Sequence, residues 1–195
     1  MSERKVKLVA FSGSSREKSL NKKLVKIAAE GARMRGADVT LIDLRDYPMP
    51  LYDGDLEEGG GYPDTARKLK TLFLESDGFL IASPEYNSGY SAILKNTLDW
   101  VSRPLSADEP PLAAYAGKYA TIMSAAPGAL GGLRGLYQLR ELLMNMNVTV
   151  LPEMRAVSHA TGAFDGEGQL LDESLRHSVQ QLGAQTVLAL NKGEY

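Results

Sequence analysis

Two short polar segments of this sequence carry side chains suited to binding a ligand with a phosphate and a flat ring. The first, residues 13–21, reads Gly-Ser-Ser-Arg-Glu-Lys-Ser-Leu-Asn and follows an apolar run. Its hydroxyl and amide groups suit phosphate oxygens, Gly13 permits a tight turn, and Arg16 supplies a bidentate cation. The segment opens onto a predicted helix, whose first N–H groups attract anions. We call residues 13–21 the phosphate loop.

The second segment, residues 83–88, reads Ser-Pro-Glu-Tyr-Asn-Ser and also follows an apolar run. Pro84 and Tyr86 are stiff, and the backbone beyond them can present amides to the edge of a heterocycle. The alternative is an ordinary turn after a strand. We call residues 83–88 the ring loop.

The phosphate loop also has a purely structural interpretation, a strand-to-helix turn in which Ser19 is the N-cap. Arg16 favours the phosphate interpretation, because a loop that only caps a helix needs no guanidinium. The loop has one glycine where a dinucleotide fingerprint has three, and it lacks the lysine pattern of a Walker loop. These differences argue against a nucleotide-phosphate hydrolase.

A third segment, residues 124–132, contains Ser124 and three glycines, at positions 128, 131 and 132. Glycines here either let a ring edge approach the backbone or simply end a strand and start a helix. The position of this segment after a predicted strand favours the ligand interpretation. We call residues 124–132 the glycine loop. His159 and His177 are isolated, so we expect no metal site.

Short apolar runs rich in Val, Ile and Leu alternate with helical patterns, which predicts an α/β fold with five parallel strands. Right-handed crossovers then give a three-layer, doubly wound sheet, flavodoxin-like, with strand order 2-1-3-4-5. The three loops follow the first, third and fourth strands, so they should meet at the carboxyl edge of the sheet. The predicted strands are residues 6–11, 39–44, 78–83, 119–124 and 148–151.

Composition narrows the class of protein further. The chain has 195 residues, 44% of them hydrophobic, so we expect residues 1–195 to form a single domain. It has 22 basic and 24 acidic residues, which argues against nucleic-acid and membrane partners. Its early apolar run is too short for a signal peptide, so we expect a cytoplasmic protein. Without cysteine, any redox chemistry must reside on a cofactor.

Together the motifs resemble the NADPH-dependent FMN reductase family, including its chromate and quinone reductases. The family pattern G-S-x-R-x-x-S-x-N stands at 13–21, and P-E-Y-N stands at 84–87. The stretch Leu-Lys-Asn-Thr-Leu-Asp-Trp-Val-Ser-Arg at 94–103 and the glycine loop, with Arg134 and Tyr137 beyond it, extend the match. Three motifs in the right order are more specific than any one of them.

The resemblance implies an enzyme that takes hydride from NADPH or NADH onto FMN and reduces a small-molecule electron acceptor in a ping-pong cycle. Because the cofactor does the chemistry, we expect Glu85 to have a structural or cofactor-binding role in the ring loop rather than to act as an acid or base. The positions assigned to FMN are Ser14, Arg16, Ser19, Leu20 and Asn21 for the phosphate, Pro84, Glu85, Tyr86, Asn87 and Ser88 for the ring, and Ser124 and Gly128 for its far side.

Other interpretations stay open at this point. A flavodoxin-type electron carrier would hold FMN without using a pyridine nucleotide, but the Arg-containing loop and the net charge of −2 argue against it. A non-enzymatic flavin-fold module is a third alternative.

The resemblance also implies self-association, because family members that share the stretch with Arg134 and Tyr137 are typically dimers or tetramers, so we expect a homodimer or homotetramer that uses these two residues. The surfaces around Leu136 and Trp100 also suit self-association, although Trp100 fits a packing role better than ligand stacking. The long connection 47–62 is expected to overhang the site as a lid or partner contact.

Overall fold

A twisted parallel sheet lies at the centre of residues 4–192, the part of the chain that the computed structural model describes. The strands are β1 Lys7–Ser12, β2 Asp38–Asp43, β3 Gly78–Ala82, β4 Tyr119–Ala125, β5 Thr149–Val150 and β6 Arg155–Val157. The helices are α1 Leu20–Met34, α2 Gly54–Glu58, α3 Asp64–Glu75, α4 Ala92–Ser102, α5 Leu133–Asn145 and α6 Glu173–Lys192.

The strands pair in the order β2-β1-β3-β4-β5, and every pair is parallel. This confirms the predicted doubly wound α/β sheet and its order. The order reverses direction between β1 and β3, which is where ligands bind in open sheets of this type. The loop after β1 and the loop after β3 therefore flank the switch point.

The fifth sheet position differs from the single strand predicted at 148–151. Two short strands share it, and both pair with β4: β5 lies beside Tyr119 and Ala120, and β6 lies beside Met123 to Ala125. Pro152 lies between them and has no N–H to donate to a ladder, so pairing stops and resumes three residues later.

Alternate side chains of each central strand enter two separate cores. Leu8 and Ala10 of β1 face α1 and α6, whereas Val9 and Phe11 face α3, α4 and α5. Burial on both faces explains why these strands read as continuous apolar runs. None of the helices between residues 4 and 192 has the length and apolar character needed to cross a bilayer.

Helices α1 and α6 cross at glycines that bring their backbones into contact. A Cβ on Gly31 would lie 1.9 Å from the carbonyl oxygen of Gln180, and one on Gly183 would lie 1.9 Å from that of Ala28. Real Cβ atoms never approach so closely, so each position requires glycine for this crossing. The helix that begins at the phosphate loop is thereby seated on the last helix of the sheet.

The connection 47–62 packs onto α4 rather than standing away as an independent lid. The carbonyl oxygen of Pro50 accepts hydrogen bonds from Asn96 Nδ2 and Trp100 Nε1, both at 2.8 Å. Tyr52 and Tyr62 place their rings edge-on against the indole, with centroids 5.1 and 5.8 Å away. Trp100 is fully buried by these contacts, so the packing role is confirmed.

This burial corrects one expectation about self-association. Trp100 and Leu136 are both fully enclosed within the chain, so neither offers a free surface to a second copy. Tyr137, one residue further along α5, is 59% exposed. Any contact between copies at this helix must therefore use the Tyr137 side.

Candidate functional site

The three loops meet at the carboxyl edge of the sheet, as their places after β1, β3 and β4 predict. The N–H of Gly13 donates to the carbonyl oxygen of Ala82 at 2.9 Å, and the N–H of Ser83 donates to that of Met123 at 2.9 Å. The phosphate and ring loops thus each start from one hydrogen bond to the end of the neighbouring strand. The phosphate, ring and glycine loops form one continuous edge.

The phosphate loop presents several unused hydrogen-bond donors. Ser14 Oγ accepts from the N–H of Arg16 at 3.3 Å, and Ser19 Oγ caps α1 by accepting from the N–H of Lys22 at 3.4 Å. In both cases the hydroxyl proton remains available. The N–H groups of Leu20 and Asn21 precede the first intrahelical bond of α1. The exposed Arg16 makes no ion pair or hydrogen bond through its guanidinium with residues 4–192.

Both polar atoms of the Asn21 side chain make hydrogen bonds within the fold. Its Nδ2 donates to the carbonyl oxygen of Ala125, and its Oδ1 accepts from the N–H of the same residue, both at 2.9 Å. The carboxamide thus connects the start of α1 to the end of β4. A ligand phosphate would meet chiefly the backbone N–H of Asn21.

The ring loop contains a tight two-residue turn. The N–H of Tyr86 donates to the carbonyl oxygen of Gly89 at 2.9 Å, and the N–H of Gly89 returns a bond to that of Tyr86 at 3.0 Å. Between them Asn87 and Ser88 have φ of 51° and 67°. Two consecutive left-handed residues define a type I′ turn, which favours glycine and is strained for serine. Tyr86 is 54% exposed at its mouth.

Glu85 joins the ring loop to α5. Its Oε1 accepts from Arg134 Nη2 at 2.7 Å and Nε at 3.1 Å, while Oε2 accepts from the N–H of Gly135 at 2.9 Å. Burial acts to raise the pKa of Glu85, but the bonds from Gly135 and Arg134 outweigh it and hold the pKa below its usual value. The carboxylate is therefore ionised at neutral pH and suits a supporting role.

The glycine loop places its two predicted site residues differently. Gly128 is exposed at the edge. Ser124 is fully buried, and its hydroxyl has no hydrogen-bond partner among the described residues. Gly132, with φ of 92°, covers it so closely that a Cβ there would lie 2.0 Å from Ser124 Oγ. The hydroxyl therefore lies beneath Gly132, the residue before α5.

Sequence reasoning missed Ser91, which lies immediately before α4. Its Oγ caps the helix by accepting from the N–H of Leu94 at 3.3 Å, and it also donates to the carbonyl oxygen of Gly13. The first role was visible in the sequence, because a serine before an apolar helical pattern is a typical N-cap. The second is a tertiary contact that no local signal announces.

Three side chains thus join the loops in a closed circuit. Ser91 connects the phosphate loop to the helix after the ring loop, Glu85 connects the ring loop to the helix after the glycine loop, and Asn21 connects the glycine loop back to α1. All three side chains are largely or fully buried. The circuit preorganises the edge before any ligand arrives.

A groove of about 740 Å³ runs beside the phosphate loop, between α1, the end of β2 and residues 166–169. Of the two lysines that line the groove nearest the phosphate loop, Lys22 is paired with Asp43 at 2.6 Å, whereas Lys18 is exposed. Burial acts to raise the pKa of Asp43, but Lys22 and Arg45 outweigh it and lower the pKa overall. Lys22 therefore contributes little net charge to the groove.

Comparison with known proteins assigns the chain to a family. The model of the NADPH-dependent FMN reductase family matches residues 6–162. The chain belongs to this family. Membership confirms the predicted enzyme class, an oxidoreductase that uses FMN and NAD(P)H, and disfavours the electron-carrier alternative.

Individual relatives of the FMN reductase family resemble the chain over most of its length. An NAD(P)H-dependent FMN reductase of Pseudomonas aeruginosa is 35% identical over 178 residues, covering 90% of both chains. An NADPH:quinone oxidoreductase of Arabidopsis thaliana is 34% identical over 91% of this chain and 88% of its own. The solved structure of FerB, a flavoenzyme NAD(P)H:(acceptor) oxidoreductase from Paracoccus denitrificans, superimposes with a TM-score of 0.79 at 26% identity, over 96% of this chain and 98% of its own.

Proposed function

We propose that this protein is an NAD(P)H-dependent FMN oxidoreductase that reduces quinones, free flavins, azo compounds or chromate by a ping-pong mechanism. The observation that carries the proposal is the junction of the phosphate and ring loops through Ser91 at the switch point of the sheet. Relatives named as quinone and FMN reductases support the acceptor class.

The phosphate loop fits the phosphate end of FMN by the chemistry of its donors. The guanidinium of Arg16 would pair with phosphate oxygens, and the hydroxyls of Ser14 and Ser19 would each donate one hydrogen bond. The backbone N–H groups of Leu20 and Asn21 would add two more at the positive end of α1. These donors suit a dianion.

The ring loop fits a planar heterocycle mainly through its backbone. Pro84 is buried and fixes where the loop starts, and the left-handed turn at Asn87 and Ser88 exposes peptide groups at the rim of the site. Tyr86 would form one wall, with Gly128 on the far side. The polar atoms of Glu85 are paired and that of Ser124 is buried, so both residues would contribute through the positions of their neighbours.

Bound FMN would supply the hydride acceptance from NAD(P)H and the later electron transfer to the second substrate. The protein's part is to hold the ring at a fixed angle and to leave one face accessible. Correct placement of two reactants lowers the entropic part of the barrier. An open face accommodates acceptors of different shape, which fits a broad substrate range.

Anaerobic mixing of the FMN-bound protein with NADPH, and separately with NADH, tests this function. We expect the flavin absorbance to bleach without any partner protein, and the faster nucleotide identifies the preferred donor. Steady-state rates should give parallel double-reciprocal lines when donor and quinone are both varied. A requirement for a separate reductase would instead identify an electron carrier.

We also propose that the protein assembles as a homodimer or homotetramer through the face of α5 that carries Arg134 and Tyr137. The exposed Tyr137 ring supports this, because large exposed aromatic side chains are enriched at protein interfaces. Light scattering at micromolar concentration should give a multiple of 21.1 kDa. If the protein were a monomer with full reductase activity, assembly would not be required to complete the site.

A further inference from the structure

The N-terminus of α5 lacks a cap of its own. The residue before the helix is Gly132, which has no side chain to accept a hydrogen bond, so the N-cap position provides no side-chain cap. The first N–H groups of a helix have no intrahelical acceptor, so at least some of them need an outside partner. Here the partner is Glu85, which accepts from the N–H of Gly135, the third residue of α5.

The same contact brings the ring loop directly onto α5. A Cβ on Gly135 would lie 3.3 Å from Glu85 Cγ and 3.2 Å from the carbonyl oxygen of Gly89, which closes the left-handed turn. The helix and the turn are therefore packed without a side chain between them. The guanidinium of Arg134 covers the other carboxylate oxygen, and the Glu85 side chain is only 9% exposed.

The turn held in this way is intrinsically unfavourable. Asn87 tolerates the left-handed region, but Ser88 also occupies it, which most residues with a Cβ avoid, and such a conformation persists only where surrounding contacts over-determine it. The turn makes two mutual hydrogen bonds, between Tyr86 and Gly89. Glu85, one residue before the turn, supplies the next constraint and attaches it to a rigid helix.

We propose that Glu85 is a positioning residue, which caps α5 from the ring loop and thereby fixes the Asn87–Ser88 turn against which the flavin ring binds. The inference rests on the proposed function for the identity of the ring. It assigns Glu85 no proton transfer and no direct contact with the cofactor. Its role is to couple the strained turn to the helix that follows the glycine loop.

Hydrogen exchange on the ligand-free protein tests the coupling without any cofactor. We expect Glu85→Gln to accelerate exchange at the amides of Tyr86, Gly89 and Gly135 by about tenfold, because one amide oxygen cannot serve both Gly135 and Arg134. Glu85→Asp keeps the charge and should restore part of the protection. The matched control is Glu141→Gln, an exposed glutamate on the same helix with no hydrogen bond or ion pair among residues 4–192.

Two ligands then separate ring positioning from phosphate binding. If Glu85 positions the ring loop, Glu85→Gln should weaken riboflavin and FMN by the same factor, about tenfold, because the phosphate loop is untouched. A loss confined to FMN, or unchanged affinity for both ligands, would overturn the positioning role. Titrations are made well below the melting temperature of each variant that folds.

Each remaining outcome is also decisive. Unchanged exchange at Tyr86 and Gly89 in Glu85→Gln refutes the coupling even if activity falls. If wild-type protein binds neither flavin, the proposed function fails, whereas the exchange data still decide whether Glu85 holds the turn. Should Glu85→Gln not fold, Arg134→Gln removes the two guanidinium bonds and keeps the bond from Gly135, and the same comparisons apply with a smaller expected change.

Discussion

Asn21 hydrogen-bonds in both directions to the backbone of one residue, Ala125, which lies 104 positions later in the chain. The contact satisfies a buried N–H and a buried carbonyl at the end of β4 while fixing the start of α1. It therefore places the phosphate and glycine loops relative to each other. The family pattern marks Asn21 as a cofactor residue, yet its carboxamide is used for architecture.

Asn21→Ala should accordingly destabilise the ligand-free protein. Leaving two buried backbone groups of Ala125 without partners costs about 1–3 kcal/mol each, so we expect a loss of roughly 2–6 kcal/mol in urea unfolding. Asn145→Ala, at an exposed asparagine in α5, serves as the control and should change stability by less than about 0.5 kcal/mol. Weakened FMN binding with unchanged stability of the apo protein would contradict this assignment.

Arg16→Ala should weaken FMN by about ten- to a hundredfold, because charge-assisted hydrogen bonds are worth roughly 1.5–3 kcal/mol. Riboflavin, which has no phosphate, should bind the variant and the wild type equally. Lys26→Ala removes an exposed cation further along α1 and controls for general electrostatics. Equal losses for FMN and riboflavin in Arg16→Ala would show that the guanidinium does not meet the phosphate.

Ser88→Gly should be tolerated, whereas Ser88→Val should destabilise the protein and weaken flavin binding. At φ of 67° glycine has no Cβ clash, but a β-branched side chain does, at a cost of about 1–3 kcal/mol. Thermal unfolding and flavin titration measure the two effects. Ser106→Val, in an exposed loop, is the control substitution. If Val and Gly behaved alike at position 88, the turn would not be strained.

The ion pair between the buried Lys70 and Glu109 should make the free energy of unfolding fall at low pH. Its ammonium is fully enclosed, pairs with Glu109 and donates to the carbonyl oxygen of Arg103. Burial acts to raise the pKa of Glu109, but Lys70 and the N–H of Leu105 outweigh it, so the folded pKa lies below the ordinary 4.5. The stabilisation is therefore complete above the unfolded pKa and is lost as pH falls through the folded value.

Glu109→Gln should destabilise the protein by about 3 kcal/mol at pH 7, because removing one partner leaves a buried charge uncompensated. The difference from wild type should shrink as the pH is lowered below 4.5, since the wild-type carboxylate then also becomes neutral. Asp108→Asn changes an exposed neighbouring carboxylate and should have little effect. A pH-independent difference would mean that the ion pair is not the cause.

The sequence was most informative where local physics decides the structure. The apolar runs around Val9, Phe79 and Ile122 are buried on both faces, so β1, β3 and β4 and the loops after them could be placed by pattern alone. Pro152 was equally visible, and its missing N–H should have suggested a break in the fifth strand. Predicted positions for the three loops followed from the strand order.

The contacts that organise the site could not be predicted in this way, because their partners are far apart in sequence. Ser91 meets Gly13 across 78 positions, and Glu85 meets Gly135 across 50. A serine before a helix and a glutamate after a proline look ordinary locally. Likewise, nothing in residues 47–62 indicates that Trp100 will fix the connection onto α4.

The glycine crossing of α1 and α6 has a consequence for how the chain acquires its binding edge. Gly31 and Gly183 are separated by most of the chain, and contacts at such sequence separation form late because loop closure must precede them. During synthesis α1 leaves the ribosome long before α6 is made, so α1 has no packing partner in the nascent chain. We therefore expect nascent chains stalled before Glu173 to bind no flavin, although all three loops have already been synthesised.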